Sequence, residues 1–433
     1  MKISVFALGR TGLPLSLVCA EAGFEVHGVD INKDLVDMIN KGIPPFYEPH
    51  MEELLKKHLN KKFFPKTDID NNVKQSDYLI LAIGTKFSKY PERASLTNLY
   101  TVIDTLRKMG LKGKTLILRV TLPIGTTDAI KARIEQDGLT EGKDFYLAFV
   151  PERLMEGKAI DEERHLPKVV GCYNDNAYEK IQAFFKQVGG DVVRVSNPRT
   201  AEFIKLIDNS WRNMRFAFAN ELAFLSEENQ INVMEAIQAA NSGYERNAIP
   251  IPGPVSGYCL GKDPYLLELA FDKNVVQRGF NSVWFYARRA NDWLCQRIVK
   301  QVKGETVLVA GLSFKGDIDD FRNSHSFDII QLLQAEGFSV LVTDPFLDNG
   351  PYTMLPQHLE TTVTKTKFLE GIAHADTIII ATPHTEYKNA DVHMITKKAK
   401  KGTTLLDLWN LYSGALDHNN TVNYVALGRG DLQ

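Results

Sequence analysis

The thiol of Cys259 is the group in this chain best placed to act as a nucleophile. It stands in a glycine-rich loop that reads PGPVSGYCLGKD over residues 252–263, beside Lys262 and Asp263. A neighbouring cation and backbone N–H groups lower the pKa of a thiol and favour the nucleophilic thiolate. The other cysteines fall in helical or strand patterns, where a small core residue is the ordinary interpretation: Cys19, Cys172 and Cys295. Cys259 is therefore a candidate nucleophile, with an incidental loop cysteine as the alternative.

A stripe of polar side chains forms a second candidate group. The periodicity from about Thr200 to Glu228 predicts one long helix. One face of that helix carries Lys205, Asn209 and Arg212, flanked by Asp208, Asn213 and Asn220. Asparagine is roughly several tenths of a kcal/mol less favourable in a helix than Glu, Lys or Gln, which usually cover solvated faces. The stripe predicts either a solvated face or one that meets a ligand.

The opposite stripe of the same helix is apolar. It consists of Phe203, Ile207, Trp211, Met214, Phe218 and Leu225. An apolar stripe of this length is expected to pack against another surface. We expect part of it to form a homodimer contact, and the alternative is that Trp211 and Phe218 are buried within the subunit.

A third group has the form of a dinucleotide-binding loop. The strand pattern over Lys2–Ala7 leads into a glycine turn and then a helical pattern. Glycines in such a turn let the backbone approach a pyrophosphate and let helix and strand pack closely, while the helix N-terminus favours phosphate charge. Ala7 replaces the usual first glycine, and the alternative is a turn that binds no nucleotide.

Asp30 indicates which dinucleotide this loop would bind. It ends the second strand pattern, about twenty residues after the turn, where a carboxylate binds a ribose 2′-hydroxyl and repels a 2′-phosphate. This predicts NAD rather than NADP, a preference that the nearby Lys33 weakens slightly. The candidate cofactor-binding residues of this region are Gly9, Arg10, Thr11, Gly12, Asp30 and Lys33.

The elements that position these groups alternate between apolar strand patterns and amphipathic helical patterns, as is typical of parallel α/β sheets. The first strand candidates are Lys2–Ala7, Glu25–Val29, Tyr78–Ile83, Thr115–Val120, Phe145–Phe149, Val169–Cys172 and Val192–Val195. Helical patterns over Asn232–Asn241 and Val283–Val302 follow the long helix. After Gly304 the strand patterns resume and echo the first part, at Val307–Ala310, Val340–Asp344 and Thr403–Asp407.

This order predicts an α/β fold with two Rossmann-like parallel-sheet domains joined by a central long-helix region. We expect an NAD-binding domain over residues 1–199, a central helical region with the cysteine loop over 200–303, and a second Rossmann-like domain over 304–433. We expect the active site in the cleft between them, because ligand sites commonly lie at domain interfaces.

Composition excludes several classes of protein. A chain of 433 residues with 44% hydrophobic and 24% charged residues is an ordinary globular protein of two or three domains. A formal charge of −2 provides no basic field, which argues against nucleic acid as a partner. The apolar runs are too short to span a bilayer, the N-terminus lacks a signal-peptide layout, and the four cysteines form no CxxC pair and no disulfide framework. These features predict a cytoplasmic protein without a metal.

Together the segments resemble the UDP-glucose/GDP-mannose dehydrogenase family, the nucleotide-sugar 6-dehydrogenases. The resemblance covers nearly the whole chain and depends on the order and spacing of its motifs. The matching segments are Gly9, Gly12–Pro14, Val29–Asn32, Thr85, Thr121, Gly125–Thr127, Pro151–Leu154, Glu156–Gly157, Lys205–Asn209, Asn220–Glu221, Gly257–Asp263, Gly311–Lys315, Asp319–Arg322, Ser324, Ala375–Asp376 and Ala381–Thr382.

The resemblance implies a four-electron oxidation of a sugar C6 alcohol to a carboxylate, with two NAD. It implies that Cys259 traps the aldehyde as a thiohemiacetal, which is oxidised to a thioester and then hydrolysed. Lys205 and Asn209 would stabilise the oxyanion, and Glu152 would activate the hydrolytic water. The implied catalytic set is Cys259, Lys205, Asn209, Glu152, Asp263 and Thr121, of which the last two would orient water and neighbouring groups.

The resemblance also implies the ligand contacts. The further cofactor-binding residues would be Thr85, Thr121 and Arg322. The residues expected to hold the nucleotide sugar are Arg153, Leu154, Glu156, Lys205, Asn209, Arg212, Tyr244, Arg246, Gly253 and Lys315.

Departures from the family pattern leave the substrate open. Lys86 stands where a proline commonly follows Thr85, the loop before Cys259 is one residue shorter than in the N-acetylmannosamine branch, and Gly261 replaces a usual proline. The segment after it, Asp263-Pro264-Tyr265, resembles the branch that oxidises UDP-N-acetylhexosamines, whereas Lys262 resembles the UDP-glucose branch. Two other functions remain as alternatives: a two-electron dehydrogenase of the β-hydroxyacid type, and a non-catalytic protein that binds a nucleotide sugar.

Overall fold

The computed structural model describes residues 1–89, 92–271 and 281–432. The chain divides into two compact units. One is made of Met1–Asp208 with the segment that begins at Tyr265, and the other of Asn209–Pro264 with the C-terminal part of the chain. Each unit contains one large sheet, which confirms the prediction of two Rossmann-like domains.

The first unit is built on a mostly parallel sheet. Its strands, with those of a small hairpin, are β1 (Lys2–Phe6), β2 (Glu25–Val29), β3 (Phe63–Lys66), β4 (Tyr78–Leu81), β5 (Lys86–Lys89), β6 (Glu92–Ser95), β7 (Thr115–Leu118), β8 (Tyr146–Phe149), β9 (Lys168–Cys172) and β10 (Val192–Val195). The eight-stranded sheet has the order β3-β2-β1-β4-β7-β8-β9-β10, and only β8 and β9 pair antiparallel among its described strands. Its first six strands follow the 3-2-1-4-5-6 order of a dinucleotide-binding sheet.

Eight helices lie between the strands of the first unit within its described residues. They are α1 (Gly12–Glu21), α2 (Lys33–Asn40), α3 (Met51–His58), α4 (Asn71–Gln75), α5 (Thr97–Met109), α6 (Thr126–Glu135), α7 (Ala159–His165) and α8 (Asp175–Val188). Three of them, α2, α4 and α8, begin with a side-chain cap. Helix α1 is buried from Gly12 to Ala20, because its residues are apolar or small on every face. Helix α2 begins after Asn32, whose side chain accepts a hydrogen bond from the Leu35 N–H.

The middle of the chain is helical, as predicted. It consists of α9 (Pro198–Glu228), α10 (Val233–Asn241), α11 (Gly257–Leu260), α12 (Asp263–Glu268) and α13 (Val283–Val299). The glycine-rich loop expected over 252–263 is only partly a loop, because α11 occupies one turn within it and α12 begins at Asp263. Among the described residues, no helix combines the length and the apolar character needed to cross a membrane.

The second unit has a fully parallel sheet. Its strands are β11 (Thr306–Ala310), β12 (Ser339–Thr343), β13 (Thr364–Lys365), β14 (Thr377–Ile380), β15 (Thr404–Asp407) and β16 (Asn423–Ala426). They lie in the order β13-β12-β11-β14-β15-β16, again the 3-2-1-4-5-6 pattern. The accompanying helices are α14 (His325–Ala335), α15 (Phe368–His374), α16 (Thr385–Lys388) and α17 (Val392–Lys398).

The apolar stripe of α9 is not covered by the described part of the chain. The side chains of Trp211 and Phe218 are 60% and 55% exposed. The alternative that these two rings are buried within the subunit is therefore wrong. Most of the polar stripe shows the reverse pattern, since Lys205, Asn209 and Asn213 are buried, whereas Arg212 is exposed.

Candidate active site

The turn between β1 and α1 has the geometry of a phosphate-binding loop. A Cβ atom on Gly12 would lie 1.8 Å from the carbonyl oxygen of Ala7, so glycine is required where the helix starts this close to the strand. Ala7 adopts the left-handed backbone conformation, with φ of 73°. Within the described chain, Thr11 makes no side-chain capping bond and the first turn of α1 has no acidic residue. The N–H groups of the helix start are thus suited to a pyrophosphate, and the loop fits NAD.

Asp30 lies directly after β2 and faces this loop. Its Oδ2 accepts a hydrogen bond from the Leu8 N–H at 2.7 Å, and its Oδ1 accepts one from the Asn32 N–H at 2.8 Å. These bonds fix the carboxylate and leave further lone pairs on both oxygens for ribose hydroxyls. Lys33 is exposed at the start of α2, and Arg10 stacks on the ring of Phe46, 4.8 Å from its centroid.

Two threonines connect the ends of neighbouring strands in the same unit. Thr85 follows β4, Thr121 follows β7, and both are buried. The Thr85 hydroxyl donates a hydrogen bond to the Thr121 carbonyl at 2.5 Å. The contact lies at the carboxyl edge of the sheet, where ligands of open α/β sheets bind.

Lys205 and Glu152 form a close pair in the first unit. Lys205 is buried on α9, and its Nζ donates a hydrogen bond to the Glu152 carbonyl and lies 3.5 Å from Glu152 Oε2. The other carboxylate oxygen accepts a hydrogen bond from the Leu154 N–H. The loop after β8 therefore places a cation and a carboxylate together, as an oxyanion-stabilising group and a general base require.

The next residues of this loop also meet α9. Arg153 Nε donates to Asp208 Oδ2 at 3.0 Å, with both side chains partly exposed. Leu154 and Glu156 are half-buried in the same loop. The start of α9 is held by Glu202, which accepts hydrogen bonds from the N–H groups of Gly125 and Thr127 at 2.6 and 2.8 Å.

In the second unit, Asp263 lies between an amide and an ammonium group. Asn209 Nδ2 and Lys262 Nζ each donate a hydrogen bond of 2.5 Å to its carboxylate, and all three side chains are buried. Burial opposes the charge of Lys262, but Asp263 and Cys259 outweigh it and raise its pKa. The Asn209 oxygen accepts a hydrogen bond from Arg212. A buried cation is thus held beside the cysteine.

Cys259 lies on α11 and is partly exposed, whereas the other three cysteines are buried. Burial raises the pKa of Cys19 and of Cys172, so neither is suited to act as a thiolate. Gly257 has φ of 90°, and a Cβ atom there would lie 2.7 Å from the Phe314 ring. The turn that presents Cys259 therefore requires glycine.

The remaining predicted residues of the second unit occupy different surroundings. Gly253 is buried against Trp409, and a Cβ atom there would lie 2.6 Å from the indole. Lys315 is exposed in the loop after β11, and Tyr244 and Arg246 are exposed with the guanidinium 4.5 Å from the ring centroid. Arg322 is bonded to Asp320 through Nε and Nη2.

Comparison with known proteins decides the family. The NAD binding domain of the UDP-glucose/GDP-mannose dehydrogenase family matches residues 1–189, its central domain matches 199–293, and its UDP binding domain matches 308–414. The chain belongs to the UDP-glucose/GDP-mannose dehydrogenase family. It is accordingly an NAD-dependent nucleotide-sugar dehydrogenase, and this membership decides against both alternative functions.

Individual relatives of this dehydrogenase agree with that assignment. It is 31% identical to the UDP-N-acetyl-D-mannosamine dehydrogenase of Pyrococcus horikoshii over 413 residues, covering 92% of this chain and 93% of the relative. It is 27% identical to the NDP-N-acetyl-D-galactosaminuronic acid dehydrogenase of Ralstonia solanacearum, covering 92% and 94%. The solved structure of the UDP-D-ManNAc dehydrogenase of Pyrococcus horikoshii superposes with a TM-score of 0.87 at 29% identity, over 100% of both chains.

The polar stripe of α9 in this dehydrogenase corrects one sequence-based interpretation. Asn213 and Asn220 form hydrogen bonds within the chain. Asn220 Nδ2 donates to the Gly253 carbonyl at 3.1 Å, and Asn220 Oδ1 accepts a hydrogen bond from the Gly253 N–H at 2.8 Å. Asn213 Oδ1 accepts hydrogen bonds from Arg288 and Asn291. Sequence analysis missed these two α13 residues, since a polar residue in a helical pattern carries no signal of burial.

Proposed function

We propose that this dehydrogenase oxidises the C6 alcohol of a UDP-N-acetylhexosamine to the uronic acid, with Cys259 as the covalent nucleophile. The observation that carries the proposal is the partly exposed Cys259 beside the buried cluster of Lys262, Asp263 and Asn209. Support for an N-acetylated sugar comes from the segment Asp263-Pro264-Tyr265 and from the relatives named for UDP-N-acetyl-D-mannosamine. UDP-hexose is the second candidate, favoured by Lys262.

NAD, when bound, accepts one hydride in each of the two oxidations. In the first, the C6 alcohol loses a hydride and a proton and becomes an aldehyde. The Cys259 sulfur then forms a bond to the aldehyde carbon, and the carbonyl oxygen takes up a proton to give the thiohemiacetal. Loss of a second hydride and the hydroxyl proton yields the thioester, and attack of water breaks the C–S bond and releases carboxylate and thiol.

We assign the roles of the other residues by their charge and hydrogen-bonding groups. Lys205 and Asn209 stand four residues apart on α9, hence on one helix face, and direct an ammonium and an amide at the developing oxyanion. Glu152 activates the water that hydrolyses the thioester. Thr121 and Asp263 hold water and orient these groups.

The ligand contacts are proposed on the same basis. NAD is held by Gly9, Arg10, Thr11, Gly12, Asp30, Lys33, Thr85, Thr121 and Arg322. The nucleotide sugar is held by Arg153, Leu154, Glu156, Lys205, Asn209, Arg212, Tyr244, Arg246, Gly253 and Lys315. In this proposal residues 1–199 bind NAD, 200–303 carry the cysteine loop, and 304–433 bind the UDP moiety, in agreement with the three matched family domains. We further propose a cytoplasmic homodimer.

Replacement of Cys259 by serine tests the covalent route. The hydroxyl keeps the size of the side chain, so both ligands should still bind, while turnover to the uronic acid should fall by several orders of magnitude. Steady-state NADH production and the mass of the intact protein measure this. The matched control is Cys172→Ser, a buried thiol outside the proposed site. Wild-type turnover of Cys259→Ser, with two NADH per sugar, would rule out the thioester.

The substrate is tested by comparing four nucleotide sugars. We expect NADH formation with UDP-N-acetylmannosamine or UDP-N-acetylglucosamine at a kcat/KM well above that with UDP-glucose or GDP-mannose. A preference for UDP-glucose would overturn the N-acetylhexosamine assignment and leave the four-electron mechanism intact.

A further inference from the structure

The loop that presents Cys259 is held by a buried arginine that the proposed chemistry does not use. Arg288 lies on α13, and its side chain is 2% exposed. Its Nη2 donates to the Val255 carbonyl at 3.0 Å and its Nη1 donates to the Leu260 carbonyl at 3.3 Å. These two carbonyls flank residues 256–259, so one guanidinium binds the backbone both before and after the residues that include Cys259.

The guanidinium plane is itself fixed. Nη1 also donates to Asn213 Oδ1 at 2.9 Å, and Nη2 lies 3.0 Å from Asp292 Oδ1. Asn291 Nδ2 donates to the same Asn213 oxygen at 3.0 Å, which ties α13 to α9. Each terminal nitrogen therefore contacts both a loop carbonyl and a helix side chain. The planar guanidinium can hold these partners in one fixed arrangement, whereas the single ammonium group of a lysine cannot.

Two further contacts complete the support of the loop. The Ser256 oxygen accepts a hydrogen bond from the His325 N–H at 2.8 Å and lies 2.9 Å from His325 Nδ1. The Gly257 N–H donates to the Asn323 carbonyl at 2.9 Å. The backbone is thus held at 255, 257 and 260 and the Ser256 side chain is held as well, and Cys259 lies on the short span between these points.

We propose that Arg288 is a positioning residue that holds the Cys259 thiol where it captures the aldehyde, and so commits the substrate to the second oxidation. The inference rests on the proposed function of Cys259. Oxidation of the alcohol to the aldehyde needs no thiol, whereas formation of the C–S bond needs the sulfur within near-attack distance of the aldehyde carbon. A displaced loop therefore impairs the second oxidation selectively, and the aldehyde is released.

The test is the product ratio of Arg288→Lys, which keeps the charge and loses the fork. We expect NADH per sugar consumed to fall from two towards one, with free aldehyde trapped by semicarbazide. The rate of carboxylate formation should fall about 100-fold, the size of effect that a 1 Å misplacement causes. The first hydride transfer, followed in a single turnover, should change only a few-fold. Arg289→Lys is the matched control, because Arg289 is the adjacent, exposed arginine of α13.

A purely structural role predicts a different result. Loss of folded enzyme lowers both oxidations equally and leaves two NADH per sugar with no trapped aldehyde, and that outcome would overturn the inference. If Arg288→Lys does not fold, Asp292→Ala decides, since it removes a partner of Nη2 and keeps both loop carbonyls. It must release aldehyde for the inference to stand. A wild-type enzyme that forms one NADH per sugar would instead contradict the proposed function.

Discussion

Glu152 and Lys205 are paired with each other in the structure. The ammonium donates to the Glu152 carbonyl and lies 3.5 Å from its carboxylate, while that carboxylate also accepts the Leu154 N–H. The backbone contacts hold both side chains in place, so either group can change its partner during the reaction without leaving its position. Because the contact that holds the Glu152 side chain needs only an acceptor oxygen, an isosteric amide tests the carboxylate without moving it.

Glu152→Gln should stop the reaction after the second oxidation. The amide oxygen can still accept the Leu154 N–H, but the side chain can no longer take a proton from water. We expect turnover to fall by about 10²–10⁴-fold and the acyl-enzyme to accumulate on Cys259, visible in the mass of the intact protein. Glu162→Gln is the control, since Glu162 accepts the Met155 N–H of the same loop at 2.6 Å. Full activity without an adduct would remove Glu152 from the mechanism.

Some of the proposed site residues could be predicted from the sequence and others could not. Cys259 and Asp30 stand out because few residue types have their chemistry and because loop or strand-end positions are visible in the pattern. Arg288 was not accessible, because its partners are carbonyl groups of a loop 28 to 33 positions away in the chain. Every residue has a backbone carbonyl, so the sequence does not indicate which carbonyls a side chain will bind.

At the scale of elements, strand and helix periodicity predicted both sheets and the edge strand β10, but it missed the edge strands β3, β13 and β16. The edge strand β3 was missed because Pro65 interrupts a short run, and proline is tolerated mainly at sheet edges. Strand β13 was missed because it has only two residues, Thr364 and Lys365. Central strands bury both faces and form continuous apolar runs, whereas edge strands lack that signal.

The turn between β1 and α1 carries a strained alanine. Ala7 has φ of 73°, which costs an L-residue roughly 1–2 kcal/mol relative to the right-handed region. Ala7→Gly removes that cost but adds backbone entropy to the unfolded chain, so we expect a net gain of about 0.5–1 kcal/mol in the free energy of unfolding. Urea denaturation measures it. Ala22→Gly, at a position without positive φ, should destabilise instead, and a loss of stability in Ala7→Gly would refute the strain.

The buried ring of His325, which contacts Ser256 in the cysteine loop, makes the free energy of unfolding depend on pH. Burial lowers the pKa of His325 to about 4, compared with about 6.5 in an unfolded chain. The folded protein therefore keeps this ring neutral at pH values where the unfolded chain binds a proton. Its contribution to stability is complete above about pH 6.5 and declines as the pH falls to about 4, by up to about 3 kcal/mol.

This pH dependence is measured by urea unfolding between pH 4.5 and 7.5. We expect His325→Gln to flatten the decline of the second unit, since glutamine takes up no proton. His393→Gln serves as the control, because His393 is exposed on α17. If His325→Gln keeps the wild-type slope, another group is responsible for the acid sensitivity.

At the scale of the whole molecule, α9 shows an inverted pattern of burial. Arg212 of its polar stripe is exposed, while four other members are buried by contacts within the chain: Lys205, Asn209, Asn213 and Asn220. Its apolar stripe leaves large side chains exposed: Phe203, Ile207, Trp211, Phe218 and Leu225. A row of exposed apolar side chains of this kind favours an interaction surface. The stripe was visible in the sequence, but periodicity alone does not reveal whether an apolar face packs inside its own subunit or against a second one.

Trp211→Glu or Phe218→Glu should convert a dimer into folded monomers. In the proposed dimer these rings are buried against the partner, and a carboxylate placed there would have to be desolvated, which costs several kcal/mol. In the separate subunit the same carboxylate meets water, because the rings are 60% and 55% exposed. Sedimentation at micromolar concentration should therefore give half the wild-type mass for a chain that remains folded, with an unfolding midpoint lowered only by the loss of association. Glu221→Gln, an exposed change on α9, should leave the dimer intact. A monomeric wild type would refute the dimer.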